Sequence, residues 1–473
     1  MTREEIREIA ATGNYKRIPI FEELFSDCYT PVGVMKKMRA KSAHCFLLES
    51  ASQDEQWGRY SFLGYEPTLE ISGSNFVEHP SKQIRQVLDQ YRSPKLANLP
   101  PFTGGLVGYF SYDYIKYNEP KLQLRDGEDD FKDLDLMLFD RLIVFDHYRQ
   151  KILLIAGVMV DDLDASYEKA KADIARMRQM IVSGEEATFP KLELEEQPKP
   201  YFSKEQFGKM IEKAKAYIKE GDIFQVVLSN PMRSKAKGSL LDTYRVLRVS
   251  NPSPYMFYFN SDSIELAGAS PETLVKLEDG VVRTFPLAGT RPRGKSEQED
   301  KALEKELLAD EKELAEHNML VDLGRNDVGR ISQVGTVEVE NYLDVQRYSK
   351  VMHIGSTVRG AIREDMDAVD AINAILPAGT LSGAPKFRAC EIIEELEATK
   401  RGVYGGAIGY LDFAGNMDVC IAIRLVYKKG DIVCIQSGAG IVADSVPEKE
   451  YEECRNKAKA VLLAMENAQE GVE

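Results

Sequence analysis

The sequence predicts an α+β fold in which two large antiparallel sheets pack as a sandwich with helices around them. Two observations support this prediction. First, strand-like runs dominate the N-terminal part of the chain, at residues 44–50, 60–72, 104–114, 134–147 and 151–160. Second, helical patterns and strand-like runs intermix later in the chain without the regular strand–helix–strand alternation of a parallel sheet.

The chain divides into two predicted domains, residues 1–185 and 201–473, joined by an exposed linker at 186–200. The linker region is rich in charge and contains three prolines, so we expect it to bury little surface. A helical pattern at about 165–181 closes the first domain. In the second domain, apolar residues recur at helical spacing in five segments, at about 203–219, 299–320, 366–375, 385–398 and 447–466.

Composition excludes several classes of protein. The 473-residue chain has a formal net charge of −15, which disfavours nucleic acid as a partner. It has no signal-like N-terminus and no uncharged apolar stretch of about 18 residues, so we expect no membrane association. Six cysteines without C-x-x-C spacing indicate reduced thiols in the cytoplasm. An acidic enzyme with an anionic substrate must supply positive charge locally, through cationic side chains, backbone N–H groups or a metal ion.

Two nucleotide-binding patterns occur but lack the required setting. Residues 289–296 match the P-loop pattern, yet the preceding run contains Arg283 and Pro286 and does not resemble a buried parallel strand. Residues 438–443 match a dinucleotide fingerprint, but the residues that follow delay any helix. We interpret the second segment as a glycine-rich strand end that lets a substrate approach backbone amides.

Two Glu-x-x-Glu pairs suggest a metal site. Glu313 and Glu316 lie three residues apart on one predicted helix, and Glu450 and Glu453 repeat this spacing on another. Four converging carboxylates suit a hard cation such as Mg²⁺. The alternative is that both pairs lie on solvated helix faces, which is the more common situation for acidic helices.

Two further residues are candidates for chemistry. Arg424 lies within the apolar run 419–427, where a side chain on the core face would need an anionic partner. Its alternatives are a structural ion pair or an outward orientation. His353 precedes another strand-like run and could be catalytic or structural.

At these residues the sequence resembles the chorismate-utilising enzymes, and within them the anthranilate synthase component I branch. The resemblance is dense from residue 201 to 459 and extends to the N-terminal part at 47–50, 58–64 and 104–113. Its main segments are DIFQVVLS (222–229), LAGASPE (266–272), FPLAGTRPRG (285–294), AEHNMLVDLGRND (315–327), PAGTLSGAPK (377–386), RGVYGGAIGY (401–410), CIAIR (420–424) and SGAGIVADS (437–445).

The resemblance implies a two-sheet α+β fold with a deep central site. Glu316 and Glu453 match direct Mg²⁺ ligands, and Glu313 and Glu450 match positions that hold its waters. The residues that match positions around the carboxylates and pyruvyl group of chorismate are Tyr404, Arg424, Gly438, Ala439, Gly440 and Lys457.

Two positions distinguish the reaction within the family. Members that add water carry a lysine general base where this chain has Gln225, and a neutral amide cannot take a proton from water. Members that aminate C4 typically carry a nucleophilic lysine where this chain has Ala288. Both positions favour addition of ammonia at C2.

The implied mechanism has an amination and an elimination. Glu272 would donate a proton to the departing C4 hydroxyl while ammonia attacks C2, which requires a raised carboxyl pKa. The resulting 2-amino-2-deoxyisochorismate would then lose pyruvate to give anthranilate, the first committed step of tryptophan biosynthesis. His353 and Thr380 match positions that line the site of elimination.

The resemblance also implies partners and regulation. The chain shows no glutaminase motif, so we expect a separate glutamine amidotransferase subunit to supply ammonia. Segments 47–50 and 251–256 resemble a tryptophan feedback site, which would comprise Glu49, Ser50, Pro254, Tyr255 and Met256. Two alternative functions remain for the chain as a whole: aminodeoxychorismate synthase component I, and a non-catalytic tryptophan-binding regulator on the same scaffold.

Overall fold

The computed structural model describes residues 1–50, 58–124, 131–348 and 351–471. The helices in these ranges are α1 (Arg3–Ala11), α2 (Pro31–Arg39), α3 (Ser81–Gln90), α4 (Ile115–Asn118), α5 (Leu163–Ser183), α6 (Lys204–Glu220), α7 (Leu241–Ser250), α8 (Glu297–Ala309), α9 (Glu311–Gly329), α10 (Ala368–Ile375), α11 (Lys386–Glu397) and α12 (Pro447–Glu470). None of these helices is long and apolar enough to cross a membrane.

The strands in the same ranges are β1 (Arg17–Phe25), β2 (Cys45–Glu49), β3 (Tyr60–Tyr65), β4 (Leu69–Gly73), β5 (Gly105–Phe110), β6 (Leu134–Phe139), β7 (Arg141–Asp146), β8 (Lys151–Met159), β9 (Glu193–Leu194), β10 (Lys199–Pro200), β11 (Gln225–Lys237), β12 (Tyr255–Asn260), β13 (Glu265–Ser270), β14 (Thr273–Glu278), β15 (Val281–Thr284), β16 (Leu287–Pro292), β17 (Glu338–Arg347), β18 (Val351–Ala361), β19 (Gly383–Ala384), β20 (Ala407–Asp412), β21 (Met417–Ile421), β22 (Leu425–Lys429) and β23 (Ile432–Ile441).

These strands form two large antiparallel sheets, which confirms the predicted fold class. The first has the order β1-β8-β7-β3-β2-β12-β13-β22-β23-β11-β10, with β9 and β19 also paired to β11. The second has the order β16-β18-β15-β14-β21-β20-β5-β6-β4, with β17 paired to β18. An aromatic core joins the sheets: Phe46 of β2 packs edge-on against Phe139 of β6, with ring centroids 4.7 Å apart. Alternate side chains of each strand point into this core, and central strands such as β5 and β6 are buried on both faces because further apolar clusters cover the outer sides of the sheets.

Both sheets combine strands from the two predicted domains. In the first sheet β2 pairs with β12, and in the second β5 pairs with β20. Segment 186–200 is mostly exposed, but it also adds β9 and β10 to β11, and its Leu192 is fully buried. The density of charge and proline in this segment concealed the apolar side chains that anchor it.

The six predicted helices are present, and five of them have boundaries within about four residues of the prediction, whereas α1, α2, α3 and α7 were not predicted. The sixth, at 299–320, differs most, since its second part, α9, continues to Gly329. The pattern predicted a single helix over 299–320, but α8 ends at Ala309 and α9 begins at Glu311. The Asp310 side chain caps the second helix by accepting hydrogen bonds from the backbone N–H groups of Lys312 and Glu313. Glu313 and Glu316 therefore lie in the first turns of a new helix, α9.

Both nucleotide-like patterns occupy antiparallel strands. Residues 289–292 belong to β16, which pairs antiparallel with β18, and Ser296 is the N-cap of α8. The glycines at 438 and 440 lie inside β23, and the next helix begins only at Pro447. Neither segment has the strand–loop–helix geometry that binds a nucleotide phosphate, as the sequence analysis anticipated.

Candidate active site

Glu272 lies in a buried turn between β13 and β14. Its carboxylate accepts a hydrogen bond of 3.0 Å from the Thr380 hydroxyl, which lies in a short 3₁₀ turn at Gly379–Leu381. Burial raises the pKa of Glu272 to about 7, although Thr380, Arg424 and Lys457 each act to lower it. A carboxyl group with this pKa can hold a proton near neutral pH and release it during a reaction.

Arg424 occupies a break between two strands rather than a strand interior. The predicted run 419–427 is interrupted because β21 ends at Ile421 and β22 begins at Leu425, and Arg424 itself has φ of 50°. Burial lowers the pKa of this guanidinium, while Glu272 and Tyr348 act in the opposite direction. None of the ion pairs in the described part of the chain involves Arg424. The prediction that residues 419–427 form one continuous strand is therefore wrong, but a largely buried cation is present.

His353 is held in one tautomer by its surroundings. Its Nδ1 lies 2.8 Å from the carbonyl oxygen of Gly289, which accepts hydrogen bonds only, so we assign the proton to Nδ1. The Tyr348 ring packs edge-on at 5.6 Å. Burial lowers the pKa of His353, so the ring is neutral near pH 7 and Nε2 has a free lone pair. Such an imidazole can accept a proton.

Glycines in β23 leave room for two functional side chains. A Cβ at Gly440 would lie 2.5 Å from Nε2 of Gln225, and a Cβ at Gly438 would lie 2.9 Å from the Tyr404 hydroxyl. Gln225 is buried, and its Oε1 has no hydrogen-bond partner among the described residues. Between the two glycines, Ala439 is fully buried. The backbone of β23 is therefore approached closely by both an amide and a phenol, as the predicted substrate site requires.

Lys457 connects β23 to α12. Its ammonium donates a hydrogen bond of 3.1 Å to the carbonyl oxygen of Gly438 and pairs with Glu453 at 2.8 Å. It also contributes to the electrostatic environment of Glu272, Glu316 and His353. The Lys457 ammonium is therefore near both the Glu272 carboxyl and the cluster of glutamates on α9 and α12.

The four glutamates on α9 and α12 form one acidic cluster. Burial and the charges of Glu313 and Glu453 raise the pKa of Glu316, and burial and the charge of Glu453 raise that of Glu450. Arg291 lies 3.5 Å from Glu313. In the described residues, no three His, Cys, Asp or Glu side chains are gathered closely enough to hold one metal ion.

The chemistry of this cluster nevertheless fits a divalent cation. Its donors are hard carboxylate oxygens, which Mg²⁺ prefers, and a cation would remove the mutual repulsion that raises the pKa of Glu316. The donor type and the negative charge of this cluster therefore suit Mg²⁺.

The two segments of the predicted inhibitor site are neighbours in the first sheet, where Met256 of β12 pairs with Glu49 of β2. The Glu49 carboxylate is buried and accepts hydrogen bonds from Arg248 at 2.9 Å and from Tyr244 at 2.5 Å. The Ser50 hydroxyl is buried without a hydrogen-bond partner among the described residues.

The remaining members of this predicted site, Pro254 and Tyr255, precede or begin β12, and the Tyr255 hydroxyl donates to Asp418 at 2.7 Å. The structure thus brings all five residues to one region.

A buried ion pair that no sequence pattern predicted lies behind the site. Arg401 and Glu397 are almost fully buried and contact each other at 2.5 Å. Arg401 also donates to the carbonyl oxygens of Val227 and Leu381, while Glu397 accepts from the backbone and side chain of Ser229. The pair thereby ties β11 to the turn that carries Thr380. Its i, i+4 spacing looks like an ordinary exposed helix pair, so no sequence signal distinguished it.

Comparison with known proteins identifies the family. Residues 43–463 match the family described as chorismate binding enzyme. The chain belongs to this family. It is 46% identical to anthranilate synthase component 1 of Acetivibrio thermocellus, over 99% of both chains. It is 45% identical to the component 1 of Aquifex aeolicus, over 100% of this chain and 99% of that protein. The predicted resemblance is therefore confirmed.

Solved structures agree with this assignment. The crystal structure of anthranilate synthase component I from Streptococcus pneumoniae superposes with a TM-score of 0.75 at 38% identity, covering 86% of this chain and 92% of that one. The menaquinone-specific isochorismate synthase of Escherichia coli has the same fold, with a TM-score of 0.73 at 21% identity over 98% of both chains. The chain is thus an enzyme of the anthranilate synthase component I type on a fold shared with isochorismate synthase.

Proposed function

We propose that this chain catalyses amination of chorismate at C2 and release of pyruvate, giving anthranilate for tryptophan biosynthesis. The observation that carries the proposal is Gln225, a buried neutral amide beside Gly440 at the position where water-adding relatives keep a basic lysine. Ammonia needs no general base to become a nucleophile, whereas water does. Ala288 supports the same conclusion, because it cannot form the covalent intermediate of C4 amination.

Glu272 and His353 divide the proton transfers of this reaction. Glu272, with a pKa of about 7, donates its proton to the C4 hydroxyl as ammonia attacks C2, and 2-amino-2-deoxyisochorismate forms. Neutral His353 offers Nε2 to accept a proton in the elimination of pyruvate. Thr380 holds the Glu272 carboxyl in place throughout.

Cationic side chains and backbone groups of the chain balance the negative charge of the substrate. Arg424 and Lys457 offset the carboxylates of chorismate, while Tyr404 and the backbone of residues 438–440 line the pyruvyl group. Glu316 and Glu453 would hold Mg²⁺ directly, and Glu313 and Glu450 would orient its waters. When bound, the metal supplies a positive charge that holds the ring carboxylate and withdraws electron density from the ring.

We further propose a glutamine amidotransferase subunit as the physiological source of ammonia, and the cytoplasm as the location. The component 1 designation of the relatives supports a second component. None of the six cysteines, all within the described residues, forms a disulfide, which suits a reducing compartment. With an ammonium salt as nitrogen source, the isolated chain should act without its partner.

A product assay tests the proposed reaction. The chain is incubated with chorismate, Mg²⁺ and an ammonium salt, and fluorescent anthranilate is measured together with pyruvate. Accumulation of 4-amino-4-deoxychorismate would instead identify aminodeoxychorismate synthase, and absence of turnover would favour a non-catalytic regulator. Glu316→Gln should lose nearly all turnover, and unchanged turnover would contradict the mechanism.

Feedback inhibition by tryptophan is a second proposal, carried by the pairing of Glu49 with Met256 between β2 and β12. The buried Ser50 hydroxyl lacks a protein partner among the described residues and could serve the inhibitor. We expect Ser50→Phe and Met256→Thr to abolish inhibition with little loss of uninhibited rate. Retained inhibition in both variants would exclude this site.

A further inference from the structure

A cavity adjoins Glu272 and Thr380. It offers about 50 Å³ to water molecules, which is enough to hold them. Most of the wall is apolar and is formed by Leu274, Pro286, Leu320, Leu323, Ile375 and Ile421. An apolar cavity would stay dry, so the polar groups in its wall decide what it holds.

Four polar residues besides Thr380 line this cavity: Glu272, Thr273, Thr284 and Asp327. The Thr273 hydroxyl already has a hydrogen-bond partner, the Tyr255 hydroxyl at 2.8 Å. Thr284 ends β15 and is only 6% exposed, yet its hydroxyl has no hydrogen-bond partner among the described residues. Asp327 is 4% exposed and pairs with Lys386 at 2.7 Å, which leaves it further acceptor capacity. A buried hydroxyl without a partner costs about 1–3 kcal/mol, and a bound water would remove that cost.

We infer that this cavity is a water site that serves Glu272 during turnover, an inference that rests on the proposed function. The C4–O bond breaks, and the proton of the Glu272 carboxyl goes to the departing oxygen, so each cycle releases one water and leaves a carboxylate. Ammonia forms the C2–N bond and the resulting ammonium group gives up one proton. Glu272 regains one proton, so atoms and charge balance over the cycle.

The cavity is placed for this task. It touches the carboxyl that must lose and regain a proton, and Thr284 and Asp327 offer a hydroxyl and a carboxylate between which water molecules can be held. Water in the cavity accepts the departing molecule into an existing hydrogen-bonded chain and relays to Glu272 one proton from solvent, which balances the proton that the new ammonium group releases to solvent. Gln225, which marks the approach of the nucleophile, does not line the cavity. We therefore assign the cavity to the leaving group and not to ammonia.

Thr284→Val tests the inference because valine keeps the branched shape and removes the hydroxyl. In a high-resolution crystal structure of the full chain, we expect ordered water within hydrogen-bond distance of the Thr284 hydroxyl and of Glu272. We expect that water to be lost in Thr284→Val. A dry cavity in the unmodified protein would overturn the inference.

Kinetics provide the second measurement. Loss of one hydrogen bond in the row of water molecules should lower kcat about tenfold, with KM for chorismate and for ammonium unchanged. Thr243→Val is the matched control, because that hydroxyl is also buried without a partner among the described residues but lies on α7, away from the cavity. It should leave kcat unchanged, whereas Thr284→Ser, which retains a hydroxyl, should retain more of kcat than Thr284→Val.

Two results would overturn the inference. An unchanged kcat in Thr284→Val would show that the water is not used, and a raised KM for ammonium would assign the cavity to the nucleophile. If no anthranilate forms even in the unmodified protein, the proposed function fails, while the water site can still be read from the crystal structure.

Discussion

The hydrogen bond from Thr380 to Glu272 should determine the upper pH limit of catalysis. The hydroxyl lies 3.0 Å from the carboxylate and stabilises its charged form, so it lowers a pKa that burial has raised to about 7. A hydrogen bond to a charged group contributes about 1.5 kcal/mol, which corresponds to about one pH unit. Thr380→Val should therefore raise the pKa of Glu272 by about one unit.

Glu272 must be protonated to act as the acid, so activity is lost as pH rises through its pKa. In Thr380→Val the midpoint of this loss should lie about one pH unit higher, even if the maximal rate falls. The assay is kcat/KM for chorismate across the neutral range, which reports the free enzyme, with ammonium adjusted to keep free ammonia constant. Thr380→Ser keeps the hydroxyl and should retain the original midpoint. A midpoint that is unchanged or lower in Thr380→Val would refute this role.

Three further predictions concern stability. Burial raises the pKa of Glu272 from 4.5 to about 7, so ionisation of this carboxyl opposes folding above that range. Glu272→Gln should therefore raise the free energy of unfolding, measured by urea denaturation, by about 3 kcal/mol near pH 8 but not near pH 4. Arg401→Met should lower the free energy of unfolding by about 3–5 kcal/mol, because it leaves Glu397 buried and unpaired. The control Arg455→Met removes an exposed helical ion pair and should change the free energy of unfolding by less than about 0.5 kcal/mol. Equal effects of the two substitutions would contradict this account. Mg²⁺ should raise the melting temperature of the unmodified chain but not that of Glu316→Gln. Without Mg²⁺, Glu316→Gln should be at least as stable as the unmodified chain, because one repelling carboxylate is gone. An equal rise in both proteins would contradict the assignment of Glu316 to the metal site.

Local patterns in the sequence predicted much of the fold. Helix α12 begins at Pro447 and α11 ends at Glu397, within a few residues of the predicted limits, because apolar spacing and capping act over short distances. The family segments also identified Glu272 and His353 as candidates before any geometry was available. These features depend on residue type and order, which the sequence contains directly.

The predictions from sequence were wrong or incomplete where contacts between distant residues override local sequence preferences. Segment 186–200 is mostly exposed, in keeping with its composition, but the composition did not indicate that Leu192 is buried or that β9 and β10 extend the first sheet. Arg424 looked like part of a continuous strand, but the chain breaks there and adopts φ of 50°. Composition cannot report such contacts, because their free energy comes from residues far away in the chain.

The sequence by itself determined the family, the α+β class and the residue types available for chemistry. Only the tertiary structure decided that Glu272 receives a hydrogen bond from Thr380, that His353 carries its proton on Nδ1, and that a cavity joins Glu272 to Thr284. The physical reason is that pKa, tautomer and hydration depend on burial and on atoms within about 3 Å, which come from segments separated by tens of residues or more.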